Sequence, residues 1–396
     1  MERHIMEAGG IIAREAIPRG TDPNSGAEIV QLTSAPAIHE NIYGEVPYSD
    51  PAGRYVMYTY AAATEHAGGH TPYARLEVWR ADLRSHRITP VCDNATGIRG
   101  VAVSPDQRYF YCQREYAEGK FEILRTEIAT LEQKSYRIEG LPDVRSLGSM
   151  APDNTTYVSA VRLDKQLFGV IKIDLEAGEY AVIHEGTEIC NAHPQMEPGA
   201  GKDILIQHNR GCEFDEHGNV IRSTGEIGAT LYLIDSDGGN YRELPVGEPY
   251  TWFCQGHQCW ISRTGDILLT IAMPRLSGEG SEIAARLEVI SKGNLLRLRP
   301  GDAEAEVVAR GYYYWHPSVS ADARFFVADT IPSGALVVGS LQTGRVRELC
   351  LSKASLGGPQ YTHPHPYFTP DRKRVIYNSD CTGVPQVYAA SVPEGL

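Results

Sequence analysis

Polar turns followed by short alternating or aromatic stretches recur along the whole chain. The pattern reads "SDPAGRYVMYTY" at 49–60, "SPDQRYFYCQ" at 104–113 and "APDNTTYVSAV" at 151–161. It returns as "EPGAGKDILIQH" at 197–208, "SRTGDILLTIA" at 262–272, "SADARFFVADT" at 320–330 and "TPDRKRVIYNS" at 369–379. In each copy Pro, Asp or Gly reverses the chain, and residues rich in Tyr, Phe, Val and Ile then predict a strand. A second predicted strand follows and runs into a polar hairpin, as in "FGVIKIDLEAGEYAVI" and "LVVGSLQTGRVREL". Helical periodicity is nearly absent. Anchored at Asp50, Ser104, Ala151, Glu197, Ser262, Ser320 and Thr369, the copies fit units of four strands repeating along one chain. That is the signature of a β-propeller, in which each sheet buries its faces against its neighbours.

The pattern therefore predicts an all-β fold: one seven-bladed propeller domain over residues 1–396. The last copy is followed only by "VPQVYAASV", one strand short of a full sheet. The early segment "GAEIVQLTS", 26–34, is the expected missing strand, closing the ring onto the blade at about 360–396 and removing two open edges. The longer intervals around 209–228 and 274–293 are expected to be loop insertions, where function often resides.

Composition narrows the chemistry. The chain has 396 residues, a formal net charge of −13 and no dense Lys/Arg runs. Nucleic acid is thus not an expected partner, since such binding depends on basic patches. No apolar run approaches the roughly 20 residues of a membrane helix. The opening "MERHIMEAGGIIAREAIPRG" lacks a secretory-type apolar region. A cytoplasmic location without a membrane partner is the expectation; oligomeric state is not readable. The eight cysteines form no CxxC pair, which suits reduced, mostly buried thiols better than a disulfide framework or a cysteine zinc site. An anionic small substrate remains compatible if a local positive charge, such as a metal ion, receives it.

The histidines supply a site for that ion. Propeller ligands sit near the central channel, reached by the inner strand just before each recurring turn. The first three such segments, "YGEVPYSD", "IRGVAVSP" and "LGSMAPD", carry no histidine. The last four are "CNAHPQMEP", "CQGHQCWISR", "YYWHPSVSA" and "YTHPHPYFTP", which place His193, His257, His316 and His365 four or five residues before their turns. His363 lies two residues before His365, so in an extended segment both can face one centre. With Gln360 and His316 they make a mixed nitrogen and oxygen set for a hard or borderline divalent ion, with Mn²⁺ the first choice. A lone buried histidine is usually a hydrogen-bonded structural residue, and His193 is open to that reading as well as to substrate binding. Pro364 and Pro366 are explained by backbone restriction alone. Trp260 and Tyr314 are candidate sugar-stacking residues, although aromatics also favour strands for packing.

At these residues the chain resembles the oligogalacturonate lyases, polysaccharide lyase family 22. "QYTHPHPYFTPD" is similar to that family's Gln-x-x-His-Pro-His metal motif, "YYWHPSVSADARFFVADT" to the segment giving its third histidine ligand, and "CQGHQCW" to the segment with its catalytic histidine. The resemblance implies that Gln360, His363, His365 and His316 hold Mn²⁺ and that His257 is the general base. It implies a small anionic uronate oligosaccharide as substrate, cleaved by β-elimination to a 4,5-unsaturated product. One departure stands out. Where the family carries an arginine, near "GATLYLIDSDG", this chain has Thr230, and Arg210 or Arg222 is the candidate replacement to stabilise charge. Two other functions fit parts of the pattern: a non-catalytic ligand- or protein-binding propeller, since fold does not fix function, and a metal-dependent uronate epimerase or isomerase. The concentration of histidines in four adjacent copies argues against a bare scaffold. No G-x-S-x-G elbow is present to support a peptidase.

Overall fold

The computed structural model describes residues 13–61, 76–272 and 281–395, the side chains of 281–284 excepted. The described chain is nearly all β, in antiparallel meanders of short strands. Ile38–Glu40, Tyr55–Ala61, Leu76–Asp82 and Arg87–Ala95 pair in that order. Ala102–Val103, Tyr109–Ala117, Lys120–Glu127 and Gln133–Arg137 repeat the arrangement, and so do Ser149–Met150, Thr156–Asp164, Leu167–Asp174 and Glu179–Gly186. Gln195–Met196, Asp203–Asn209, Ala229–Asp235 and Arg242–Glu243 come next. They are followed by Cys254–Trp260, Ile267–Ile271, Leu295–Leu298 and Glu306–Ala309, then by Tyr314–Val319, Phe325–Thr330, Ala335–Ser340 and Val346–Leu351.

The final meander, Tyr367–Phe368, Arg374–Ser379 and Gln386–Ser391, is completed from the other end of the chain. Glu28–Gln31 pairs with its outer strand in the register Ile29↔Ala390, Val30↔Ala389 and Gln31↔Tyr388. Of the segment 26–34, residues 28–31 form this pairing. A further strand, Ile17–Thr21, extends the same sheet.

Successive meanders share their cores, because a sheet with two apolar faces must bury both. Ile123 and Tyr111 pack with Tyr157 and Ile171; Val158 and Val170 with Ile204 and Tyr232; Leu205 and Leu231 with Ile267 and Leu296. Leu268 packs with Phe326 and Val337, and Val327 and Leu336 with Val375 and Tyr388. One cluster then joins Tyr367, Ile376 and Val387 near the C-terminus to Tyr48, Val56 and Val78 near the N-terminus.

Two features depart from the sequence pattern. The insertion expected as loop at 274–293 contains a helix, Ser281–Lys292; residues 273–280 lie outside the described part. Ala285 and Val289, four apart, are buried on one face, and Lys292 pairs with Glu288 at 2.6 Å. One buried face over three turns is too weak a periodicity to stand out beside seven strand repeats. The second is in the first meander. Ile38–Glu40 pairs with Tyr55–Ala61 through Glu40↔Thr59, yet Ser49 already bridges Val56. Pairing does resume at Tyr48, whose carbonyl accepts from the amide of Met57. Residues 41–47 therefore loop out of the inner strand.

Candidate metal centre and acid–base site

His316, His363 and His365 come together: one ring nitrogen from each lies within 4.8 Å of the others. Their ring centroids are 4.3 Å apart for His316–His365, 5.5 Å for His316–His363 and 5.6 Å for His363–His365. All three are buried. Burial, and then the neighbouring histidines, holds His316 and His365 well below the usual imidazole range; burial also lowers His363. Neutral imidazoles are the form that offers lone pairs to a metal.

The tautomers are fixed from behind. The Nδ1–H of His316 donates to Asp329 at 2.8 Å, leaving its Nε2 without a protein partner. Asp329 is fully buried and also accepts from the His316 amide at 2.7 Å. This contact falls where the ladder between Tyr314–Val319 and Phe325–Thr330 is irregular, between Tyr314 and Pro317. The Nε2–H of His363 donates to the Gly357 carbonyl at 2.7 Å, leaving Nδ1 open. Neither ring nitrogen of His365 has a partner, and the Oε1 of Gln360 is likewise buried and unpaired.

A buried polar atom without a partner costs about 1–3 kcal/mol. Several such acceptors gathered at one place are expected only where a ligand completes them. Three imidazoles with unpartnered ring nitrogens form a donor set that could hold a divalent metal ion.

His363 and His365 reach one centre, but not by the simple pleat expected of them. His363 is extended, with φ −97° and ψ 145°, whereas His365 has φ +42°. That left-handed conformation is held from the looped-out segment. Asn41 Nδ2 donates to the carbonyls of His365 at 2.8 Å and Pro364 at 3.3 Å. Asn378 Oδ1 in turn accepts from the Asn41 amide at 2.9 Å. At Gly44 a Cβ would stand 3.3 Å from the Pro366 carbonyl oxygen, a tight approach that favours glycine there.

His257 adjoins the cluster, its ring centroid 4.2 Å from that of His316. It is half-buried and its Nδ1 has no partner. Desolvation first, then the fields of His316, His193 and His363, hold it well below the usual imidazole range. Trp315 walls the site, with centroids 4.2 Å from His316, 4.4 Å from His363 and 6.0 Å from His257. His193 stands across Tyr43 from the metal-ligand candidates and is bound through Nδ1 to Glu45 at 2.8 Å. The Tyr43 ring lies 4.5 Å from His365, 5.9 Å from His193 and 6.3 Å from His316.

The other candidates fall elsewhere. Trp260 is a core residue whose Nε1–H donates to the Gln195 carbonyl at 3.0 Å, although it lines a cavity of about 580 Å³ together with Glu45 and Gln195. Tyr314 is fully buried, packed on Phe326, with its hydroxyl on the Arg310 carbonyl, which is a packing position and not a sugar platform. Arg210 does reach Thr230: its Nε donates to Thr230 Oγ1 at 3.0 Å, and Nη2 pairs with Glu243 at 2.6 Å. Arg222 pairs with Glu213 in a small exposed ribbon. Asn41, Tyr43, Glu45 and Asp329 carry no candidate role in the sequence reading. "YGEVPYSD" is the first inner-strand segment, but a search of it for histidine alone passes over Tyr43 and Glu45.

No family model matches the chain. An oligogalacturonate lyase from Dickeya dadantii (strain 3937) is 22% identical over 413 residues, covering 95% of this chain and 96% of the relative. An oligogalacturonide lyase from Pectobacterium atrosepticum is also 22% identical, over 412 residues with the same coverage. Among solved structures, an oligogalacturonate lyase in complex with manganese superposes with a TM-score of 0.72 at 19% identity, covering 98% of this chain and 99% of the other. The resemblance carried by the histidine segments thus extends along the chain, which is similar in sequence and in fold to the oligogalacturonate lyases.

Proposed function

We propose that this protein is a metal-dependent lyase that cleaves 4-linked uronate oligomers of the oligogalacturonate type by β-elimination. In this reading it is a single seven-bladed β-propeller over 1–396, with Glu28–Gln31 closing the ring. The meanders that share cores in sequence, and the cluster joining the two ends of the chain, support that architecture. The observation that carries the functional reading is the set of buried acceptors without protein partners on His316, His363, His365 and Gln360.

His316, Gln360, His363 and His365 would hold the ion, with Mn²⁺ favoured by the nitrogen and oxygen donors and by the manganese in the similar solved structure. When bound, such an ion would act as a Lewis acid on the uronate carboxylate and so acidify the C5 proton. His257 is the base that takes that proton. Its desolvated, neutral ring suits the role, and a positioned base typically contributes about 10²–10⁴-fold. Trp315 offers an aromatic face beside both sets of histidines. Arg210, beside Thr230, is the candidate charge stabiliser. The substrate is a small anionic oligosaccharide and the reaction needs no attacking water, so a pair of hydrolytic carboxylates is not required. A cytoplasmic location belongs to the same reading; among the described residues no helix is long and apolar enough to cross a membrane.

His257→Ala is the test of this division of labour. The variant should keep its metal, measured by elemental analysis, and lose formation of unsaturated product from trigalacturonate. Loss of metal with the activity would reassign His257 as a ligand.

A further inference from the structure

A β-elimination needs two proton transfers, and His257 accounts for only one. The electron pair of the C5–H bond becomes the C4=C5 double bond as the C4–O4 bond breaks, and the departing O4 must then gain a proton. We propose that His193, held by Glu45, donates that proton from Nε2, making it the general acid that partners His257. This rests on the lyase reading above.

Three observations carry the assignment. The first is that the two histidines occupy opposite environments at one site. Glu45 Oε1 accepts from His193 Nδ1 at 2.8 Å, and the two side chains are only 9% and 15% exposed. With Nδ1–H committed to a carboxylate, a second proton on the ring sits on Nε2, the only nitrogen left to give it. His257 has no such partner on Nδ1. One histidine is thus gripped by a carboxylate and the other is not, a difference in hydrogen bonding that suits them to different roles.

The second observation is placement. His193 lies one aromatic ring from the metal-ligand candidates: Tyr43 touches His193 on one side and His365 and His316 on the other. On the far side of that cluster His257 packs against His316, with ring centroids 4.2 Å apart. Both histidines therefore border the metal-ligand candidates, His257 directly and His193 through Tyr43.

The third is the backbone. His193 has φ +43°, and Ile42, at the start of the segment that delivers Tyr43 and Glu45, has φ +77°. A β-branched residue in the left-handed region is a clear outlier, and such strain persists where surrounding structure enforces it, commonly at active sites. The pair joins two segments 148 residues apart. Both adopt costly conformations where they meet.

After donation His193 is neutral with its proton still on Nδ1, and His257 carries the proton from C5; exchange with solvent resets both. No oxidant or co-reactant is needed.

The test compares leaving groups in the metal-loaded full chain. On trigalacturonate, His193→Ala should lower kcat by about 10²–10⁴-fold with metal content and KM retained. On a 4-deoxy-4-fluoro-galacturonate, whose fluoride departs without needing a proton, the same variant should lose less than about threefold relative to the parent. Glu45→Gln, which keeps the volume but weakens the grip on Nδ1, should show the same selectivity at about 10-fold and serves if His193→Ala does not fold. Equal losses on both substrates would overturn the proposal, as would a raised KM with kcat intact on trigalacturonate, which would make His193 a binding residue. If the parent forms no unsaturated product from any uronate oligomer, the lyase reading itself fails; that outcome is distinct from either of these.

Discussion

At the scale of single residues, the metal-ligand candidates are set by what stands behind them. Asp329 decides which nitrogen of His316 is free, and a carboxylate in that position both orients the ring and raises its basicity. Asp329→Asn should therefore weaken Mn²⁺ binding by about 10–100-fold in a chelator competition, with little change in the fold. Unchanged affinity would mean that Asp329 serves packing alone. A second buried carboxyl makes a pH prediction. Glu40 is 2% exposed, its Oε1 is unpaired, and burial pushes it up to about 8 from an ordinary value of 4.5. An unfolded chain releases this proton near the ordinary value, whereas the folded protein retains it to about 8. The folded state thus binds more protons in that window, and stability falls as pH rises through it. Glu40→Gln should raise the urea midpoint of metal-stripped protein at pH 8, with the gain shrinking towards pH 4.5. A gain independent of pH would sink the argument.

At the scale of elements, the looped-out segment 41–47 matters most. An unbroken inner strand would bring neither Tyr43 nor Glu45 into the site. By leaving the ladder between Glu40 and Tyr48, the chain sends Asn41 to the carbonyls of Pro364 and His365, and Gly44 against Pro366. Asn41→Ala would leave the His365 carbonyl without its donor, at about 1–3 kcal/mol, while the Pro364 carbonyl keeps the Asn378 amide. It should lower the thermal midpoint and, by releasing the φ +42° conformation of His365, weaken metal binding as well. Lower stability with unaltered metal affinity would show that His365 is held by other contacts.

This element also marks the limit of what the sequence makes legible. His316 and His365 can be read because each stands four residues before a repeating turn, and His363 because it lies two residues from His365 in the same segment; turns and strands are local features. Asp329 and the segment 41–47 cannot be read that way. Their roles depend on which side chains meet across sheets, and a histidine count does not register an asparagine, a tyrosine or a glutamate. The helix Ser281–Lys292 is hard to read for a different reason: among its described side chains, those of 285–292, only Ala285 and Val289 are buried.

At the scale of the whole molecule, the site is assembled from segments that come together only if the two ends of the chain do. Tyr43 and Glu45 belong to the first meander and His363 and His365 to the last, and their shared core includes Tyr48, Val56, Tyr367 and Ile376. Glu28–Gln31 completes the last sheet, so its removal would expose Gln386–Ser391 as a bare edge. Deletion of residues 1–34 should lower the thermal midpoint and increase light scattering at a given protein concentration. An unaffected melt would mean that the pairing contributes little to holding the ends together.

In the proposed lyase, turnover requires an ion held by His316, His363, His365 and Gln360. The most direct measurement is the ultraviolet absorbance of unsaturated uronate formed from trigalacturonate by chelator-stripped protein, before and after Mn²⁺ is restored. The stripped protein should form no product, and turnover should recover on adding Mn²⁺. Undiminished turnover by fully stripped protein, or no unsaturated product with the metal restored, would contradict the proposal.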